Sequence, residues 1–186
     1  MAITALGYLA KTRSVDEILS ERFGESSNLT ERFAAYRIAR SDGAEELSER
    51  LSNNFLAGAE TDEVLDLWLS TEAMNESTAT IDRLHELMSH ERFAWTNPNR
   101  VRAVLGTFAN RNVRAFHTPE GYRLLADAVL KLDAMNPQIA SRLVMPLCQW
   151  ARFTEQYQAA MKAELRRMAA KDLSKDLNEI VSKSVD

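Results

Sequence analysis

The chain has 186 residues, 45% hydrophobic residues and a net charge of −4. This length suffices for one domain with a core or for a short stack of repeats. The 45% hydrophobic and 27% charged fractions are those of globular proteins, so composition argues against disorder and against a membrane class. The mildly acidic balance argues against a nucleic-acid surface, which shows clustered Lys and Arg in excess.

The first half of the chain shows helical patterns only. Strand signals are nearly absent, and apolar residues recur at spacings of three and four, so we predict an all-α protein. Ser14 with Glu17 has the form of a capping box, and Asn28 with Glu31 opens the next helix. The predicted helix starts in this half are Ser14, Asn28, Thr61 and Ser77, and the predicted ends are Gly24, Gly43 and Gly58.

Three helix starts in the second half share one signature, a capping side chain followed at once by proline. They are Asn97-Pro98, Thr118-Pro119 and Asn136-Pro137. An Asn or Thr oxygen accepts hydrogen bonds from free N–H groups of the first turn, and proline at the first helical position loses only an N–H that had no partner. Two further helices are predicted, one from Thr154 and one from Leu173 to Val185.

Helices of this length joined by tight loops predict a fold class. We expect antiparallel helix pairs stacked into an α-solenoid, or superhelix, of the armadillo or HEAT type, as a single helical-repeat domain over residues 1–186. Pro146 lies inside a helical pattern, where it removes one hydrogen bond, so we predict a kink between Arg142 and Trp150.

No complete active site or metal site is evident. His85 and His90 flank a motif that resembles the zincin signature H-E-x-x-H, but a five-residue spacing puts them roughly 140° apart on a helix, against about 40° for the required spacing of four. We interpret both as solvent-facing or capping residues, and we predict no catalytic residue and no metal ligand in this chain. Cys148 is the only cysteine and is interpreted as a buried thiol. It cannot form an internal disulfide, so we expect a cytoplasmic protein.

Several polar side chains remain candidates for binding. Gln138 and Arg142 lie four residues apart and so share one helix face, which is typical of a ligand contact or of an ordinary solvated face. Arg100 and Arg102 lie about 200° apart, so one can point into a groove while the other faces water. Phe108, Phe116 and Tyr122 are interpreted as core packing.

The same stretch carries a family resemblance. NPNRVR at 97–102, FH at 116–117, GY at 121–122 and NPQIASRL at 136–143, in that order and spacing, resemble the C-terminal helical domain of bacterial aminopeptidase N. The similarity continues from ALGYLA near the start to LSKDL in the last helix. A run such as NPQIASRL has no generic helical reason to recur.

The resemblance implies a function that composition and spacing do not. In the aminopeptidase N family, zinc lies in a separate catalytic domain, and the C-terminal helical domain closes over it, limits entry to peptides and lends side chains to the cavity. This implies a C-terminal fragment, inactive alone, whose partners are its own catalytic domain and a peptide substrate, with neither nucleic acid nor membrane. By match to the family motifs, Arg142, Gln138 and Arg102 are the expected substrate-binding residues.

The alternative from a different class is a stand-alone helical-repeat module that binds a protein partner.

Overall fold

The structure is a computed structural model that describes residues 3–12, 14–76 and 80–185. Its described residues form helices, turns and loops, and no strand occurs among them. Contacts between Cα atoms divide the chain into two compact units, Met1–Asn75 and Glu76–Asp186. Within the described ranges, no helix is both long enough and apolar enough to cross a lipid bilayer.

The first unit is built around one central helix. Its helices are α1 (Ile3–Ala10), α2 (Asp16–Glu25), α3 (Leu29–Asp42), α4 (Glu45–Ala57) and α5 (Asp62–Met74). Helix α3 contacts each of the other four. From α2 onward, consecutive helices are neighbours in space, which is the packing expected for helices joined by short connections.

Most of the predicted helix limits in this unit are confirmed. The Asn28 side chain accepts a hydrogen bond from the Thr30 N–H at 2.8 Å, and Thr61 Oγ1 accepts one from the Val64 N–H at 3.4 Å. Gly43 and Gly58 follow the last residues of α3 and α4. Because these signals are local, the sequence predicts them well.

The predicted start at Ser14 is wrong by one residue, and the predicted end at Gly24 is also wrong, because α2 continues to Glu25. Helix α2 begins at Asp16, and the residue before it is Val15, whose side chain is buried and caps nothing. The Ser14 hydroxyl nevertheless accepts a hydrogen bond from the Asp16 N–H at 3.5 Å, so it still serves the first helical residue. The start predicted at Ser77 lies outside the described residues.

A polar network occupies the core of the first unit. Glu72 is fully buried, and its carboxylate accepts hydrogen bonds from the Tyr36 hydroxyl at 2.6 Å, from Ser52 Oγ at 2.8 Å and from Arg40 Nη2 at 2.8 Å. Trp68 Nε1 donates to Ser52 Oγ at 3.0 Å. Burial and the neighbouring Glu72 carboxylate raise the pKa of Tyr36. The network thus gives a buried charge several partners, without which burial would be costly.

The second unit contains the remaining helices. They are α6 (Thr80–Ser89), α7 (Pro98–Val101), α8 (Thr107–Arg111), α9 (Val113–Phe116), α10 (Pro119–Asp133), α11 (Pro137–Leu143), α12 (Met145–Cys148), α13 (Glu155–Ala169) and α14 (Lys175–Val185), with a π-helix at Arg102–Gly106 and a 3₁₀ turn at Trp150–Arg152. Helix α10 contacts α9, α11 and α13, and α14 contacts α11, α12 and α13.

The proline-capped starts are confirmed, and Pro146 interrupts its helix. The Asn97 side chain accepts from the N–H groups of the first turn of α7, and Thr118 does so for α10. Helix α11 ends at Leu143, and a new helical turn, α12, begins at Met145. The predicted kink is therefore a break between two short helices, because a proline cannot donate the hydrogen bond that would continue the first one.

Side chains distant in sequence hold helix α14 at both ends. At its start, the carboxylate of Asp133 accepts hydrogen bonds from Ser174 N at 2.8 Å and from Ser174 Oγ at 2.5 Å. At its end, Trp150 Nε1 donates to the Ser184 carbonyl at 2.7 Å. Leu177 and Val181 are buried between these points, so α14 belongs to the core of the second unit.

Candidate functional site

Helix α11 is fixed at its start by local hydrogen bonds. Asn136 Oδ1 accepts from the Ile139 N–H at 3.2 Å, and Pro137 occupies the first helical position. Ser141 Oγ donates to the Pro137 carbonyl at 2.7 Å. The capping chemistry predicted from the sequence therefore determines where this helix begins and how its faces are directed.

The two candidate residues of α11 lie on its exposed face. Ala140 and Ser141 are buried, whereas Gln138 and Arg142 are exposed. Among the described residues, the Arg142 guanidinium makes no hydrogen bond, ion pair or ring contact. All of its N–H donors are therefore available to a ligand.

The arginines at 100 and 102 point in different directions, as an angle of about 200° requires, but Arg100 enters the core and not a groove. Arg100 is only 3% exposed, and its Nε donates to the Arg92 carbonyl at 3.3 Å. Arg102 is exposed, and its Nη2 donates to Asn99 Oδ1 at 2.8 Å. Arg102 is thus the one of the two that can meet a ligand.

The helical segment around Arg102 has a feature that sequence analysis did not find. Residues Arg102–Gly106 form a π-helix, and the Thr107 N–H donates to the Arg102 carbonyl five residues earlier. This segment contacts α11, so the structure places Arg102 and Arg142 on neighbouring elements. π-Helical turns occur frequently at functional sites. Their backbone torsions lie close to those of an α-helix, so no residue pattern announces them.

The histidines of the zincin-like motif do not form a metal site. His85 is exposed on α6. His90 follows the end of that helix, and its Nδ1 accepts from the Arg92 N–H at 3.2 Å. Across residues 3–12, 14–76 and 80–185, no group of three His, Cys, Asp or Glu side chains is placed to hold a metal ion. The described residues therefore do not fit zinc, which requires three or four such ligands.

Cys148 is partly buried, where the sequence predicts a buried thiol. Burial raises the pKa of the Cys148 thiol, and a hydrogen bond with Ser184 only partly opposes that rise. A thiol with a raised pKa is mostly protonated at neutral pH and is a weak nucleophile.

The aromatic residues predicted as core are confirmed, and a histidine joins them. Phe108, Phe116 and Tyr122 are buried. His117 Nδ1 lies 2.9 Å from the Tyr122 hydroxyl, and its ring lies 4.6 Å from that of Phe153. Burial lowers the pKa of His117 and, with the nearby Tyr157, raises that of Tyr122 to about 12.

Known proteins with similar sequences show the family of this chain. Residues 1–186 match the family described as "Domain of unknown function (DUF3458_C) ARM repeats". Aminopeptidase N of Haemophilus influenzae is 35% identical over 184 residues, which cover 97% of this chain and 21% of that protein. Aminopeptidase N of Escherichia coli is 31% identical over 185 residues, 94% of this chain and 20% of that protein.

A solved structure extends the similarity to three dimensions. The crystal structure of Legionella pneumophila aminopeptidase A in complex with aspartic acid superposes with a TM-score of 0.86 at 31% identity, over 92% of this chain and 20% of that one. The chain belongs to this ARM-repeat family. The ARM-repeat chain corresponds to the C-terminal helical domain of aminopeptidase N-like proteins, and it spans about a fifth of the length of these relatives. The predicted all-α, solenoid-type fold is confirmed.

Proposed function

We propose that this chain is the non-catalytic C-terminal domain of a cytoplasmic, zinc-dependent aminopeptidase N that removes N-terminal residues from peptides. Residues 1–186 act as a single helical-repeat domain of that longer enzyme. The domain caps the catalytic domain, controls substrate access and contributes side chains to the peptide-binding cavity. Zinc is assigned to the catalytic domain, and no residue of this chain is proposed as its ligand. The similarity of the whole chain to aminopeptidase N relatives supports this proposal.

The observation that carries the substrate-binding part is the free guanidinium of Arg142. An arginine that is exposed and makes no contact among the described residues keeps its planar set of donors for a ligand. A guanidinium binds a carboxylate through two parallel hydrogen bonds and stays charged at any working pH. We assign Arg142 to the carboxyl side of a bound peptide, beyond the bond that is cleaved.

Gln138 and Arg102 complete the proposed contact surface. Gln138 lies one turn before Arg142 on the exposed face of α11, where its amide can donate to or accept from a peptide group. Arg102 lies on the π-helix that contacts α11. Two arginines on neighbouring elements favour a ligand with negative charge at its carboxyl end.

The first experiment establishes the enzyme that contains the chain. The reading frame is extended upstream of the Met1 codon, and a preceding segment with H-E-x-x-H is expected. A frame that starts at Met1 and yields a protein without peptidase activity would instead support the stand-alone interaction module.

The second experiment tests Arg142 in the intact enzyme. We compare a tripeptide with a free α-carboxylate, the same tripeptide as its C-terminal amide, and an amino-acid anilide. Loss of one charge-assisted contact of about 1.4 kcal/mol in Arg142→Ala raises KM for the free tripeptide about tenfold, and leaves KM for the amide and the anilide nearly unchanged.

Arg166→Ala is the matched control, because Arg166 is also exposed and makes no contact among the residues described. Equal effects of Arg142→Ala on all three substrates, or no effect on any, would refute the assigned contact and leave the domain assignment standing.

A further inference from the structure

Arg102 is exposed, and yet other residues of its own helical segment restrict the position of its side chain. We propose that Asn99 and Gly106 are positioning residues that set the direction of the Arg102 guanidinium before substrate arrives. This inference rests on the proposed function, and it adds to it two residues that do not themselves contact the peptide.

The Asn99 side chain fixes one edge of the guanidinium. Asn99 precedes Arg102 by three residues and so lies on the same helix face. Its Oδ1 accepts from Arg102 Nη2 at 2.8 Å, and no other hydrogen bond of the Arg102 side chain is present among the described residues. One donor is thus used for orientation, and the remaining donors stay available for a carboxylate.

Gly106 provides the space for the aliphatic part of the same side chain. A Cβ atom at position 106 would lie 3.3 Å from Arg102 Cγ, closer than ordinary van der Waals contact. The Arg102 side chain would therefore have to shift by a few tenths of an ångström to admit a side chain at position 106. We expect such a shift to disturb its hydrogen bond with Asn99.

Such an arrangement matters for binding because arginine is flexible. A free side chain loses rotamer entropy when a ligand immobilises it, and a side chain already held loses less. The π-helix contacts α11, which places the oriented guanidinium on an element next to the one that carries Arg142. Removing the hydrogen bond from Asn99 is expected to weaken binding without changing the chemical step.

The test is a double-mutant cycle in the intact aminopeptidase, with KM and kcat measured for a tripeptide with a free α-carboxylate and for an anilide. Asn99→Ala is expected to raise KM for the tripeptide threefold to tenfold, with kcat and the anilide values unchanged within twofold. In an Arg102→Ala background, Asn99→Ala is expected to have no further effect, because the group that it orients is gone.

Three more variants sharpen the result. Asn99→Gln retains an amide oxygen that can accept from Arg102, and it is expected to raise KM less than Asn99→Ala does. Gly106→Ala is expected to act in the same direction as Asn99→Ala. Asn178→Ala is the matched control, because Asn178 is also an exposed asparagine whose Oδ1 accepts a side-chain hydrogen bond, from Ser182 Oγ at 3.2 Å, and it lies on α14, outside the helical run that carries Arg102. Its KM is expected to stay unchanged.

The outcomes separate this inference from the function on which it rests. If Arg102→Ala raises KM and Asn99→Ala either has no effect or adds fully to it, the positioning role is overturned and the contact by Arg102 stands. If Arg102→Ala has no effect on KM, the contact assigned to Arg102 and the positioning role are both overturned. If Gly106→Ala does not fold, the cycle of Asn99 and Arg102 still decides.

Discussion

Replacing Glu72 with glutamine removes the charge at the centre of the polar network in the first unit. The carboxylate of Glu72 is fully buried and accepts hydrogen bonds from Tyr36, Ser52 and Arg40. A glutamine has the same shape but only one acceptor oxygen. Its amide N–H groups would face either the Arg40 guanidinium, which has donors only, or the Tyr36 and Ser52 hydroxyls, which would then have to accept instead of donate. We therefore expect Glu72→Gln to destabilise this unit strongly.

The magnitude follows from what remains around Arg40. Burial alone would lower the pKa of Arg40, but the Glu72 and Glu49 carboxylates outweigh it, so the pKa is raised. Breaking a buried ion pair costs about 3–5 kcal/mol. The Glu49 side chain, 50% exposed, still pairs with Arg40, so we expect a loss near the lower end, about 3 kcal/mol. Glu49→Gln removes the exposed partner instead and is expected to cost about 0–1 kcal/mol.

Tryptophan fluorescence during urea unfolding measures this difference. Trp68 donates to Ser52 within the network, so it reports on the first unit once Trp95 and Trp150 are replaced by phenylalanine in every variant. The change in midpoint multiplied by a common m-value gives the loss of free energy of unfolding. Similar losses for Glu72→Gln and for Glu49→Gln, or a loss below about 1 kcal/mol for Glu72→Gln, would contradict the large cost that we assign to breaking the buried pair of Glu72 and Arg40.

Two further predictions concern the second unit. One changes Gly121, with Gly24 of the first unit as its matched control, and the other changes His117. Gly121→Ala is expected to lower the free energy of unfolding in urea by about 2 kcal/mol or more, because a Cβ there would lie 2.6 Å from the Phe116 carbonyl oxygen. Gly24→Ala, where nothing lies within 4 Å, is expected to stabilise by about 0.5–1 kcal/mol; similar losses at both sites would contradict the packing argument. Burial lowers the pKa of His117. The neutral imidazole therefore contributes to stability above the unfolded pKa of about 6.5, and this contribution is lost as the pH falls through the lower pKa of the folded state. Urea unfolding between pH 7.5 and 5 should show that loss in the parent protein and a smaller one in His117→Asn, and equal slopes would argue against it.

Local chemistry explains why many elements were predictable. Asn97, Thr118 and Asn136 each cap the helix that follows, because the acceptor, the free N–H groups and the proline are all within a few residues of one another. Ser14 shows the limit of such signals, since the adjacent Val15 is buried and the helix starts one residue later.

The candidate site was predictable to a similar extent. The spacing of Gln138 and Arg142 places both on one face of α11, and both are exposed. The π-helix at Arg102–Gly106 was not predictable, because its backbone torsions lie close to those of an α-helix and no residue type marks it. The three-residue spacing of Asn99 and Arg102 allows a hydrogen bond between them, and the structure shows that it forms.

The two attachments of helix α14 have a consequence at the level of the gene. Asp133 and Trp150 lie well before this helix, yet their polar atoms find partners in Ser174 and Ser184. A stop codon just before position 174 would leave the Asp133 carboxylate and the Trp150 indole without those partners and would uncover apolar core. Nonsense mutations just before α14 are therefore expected to make the whole second unit a substrate for cellular proteases.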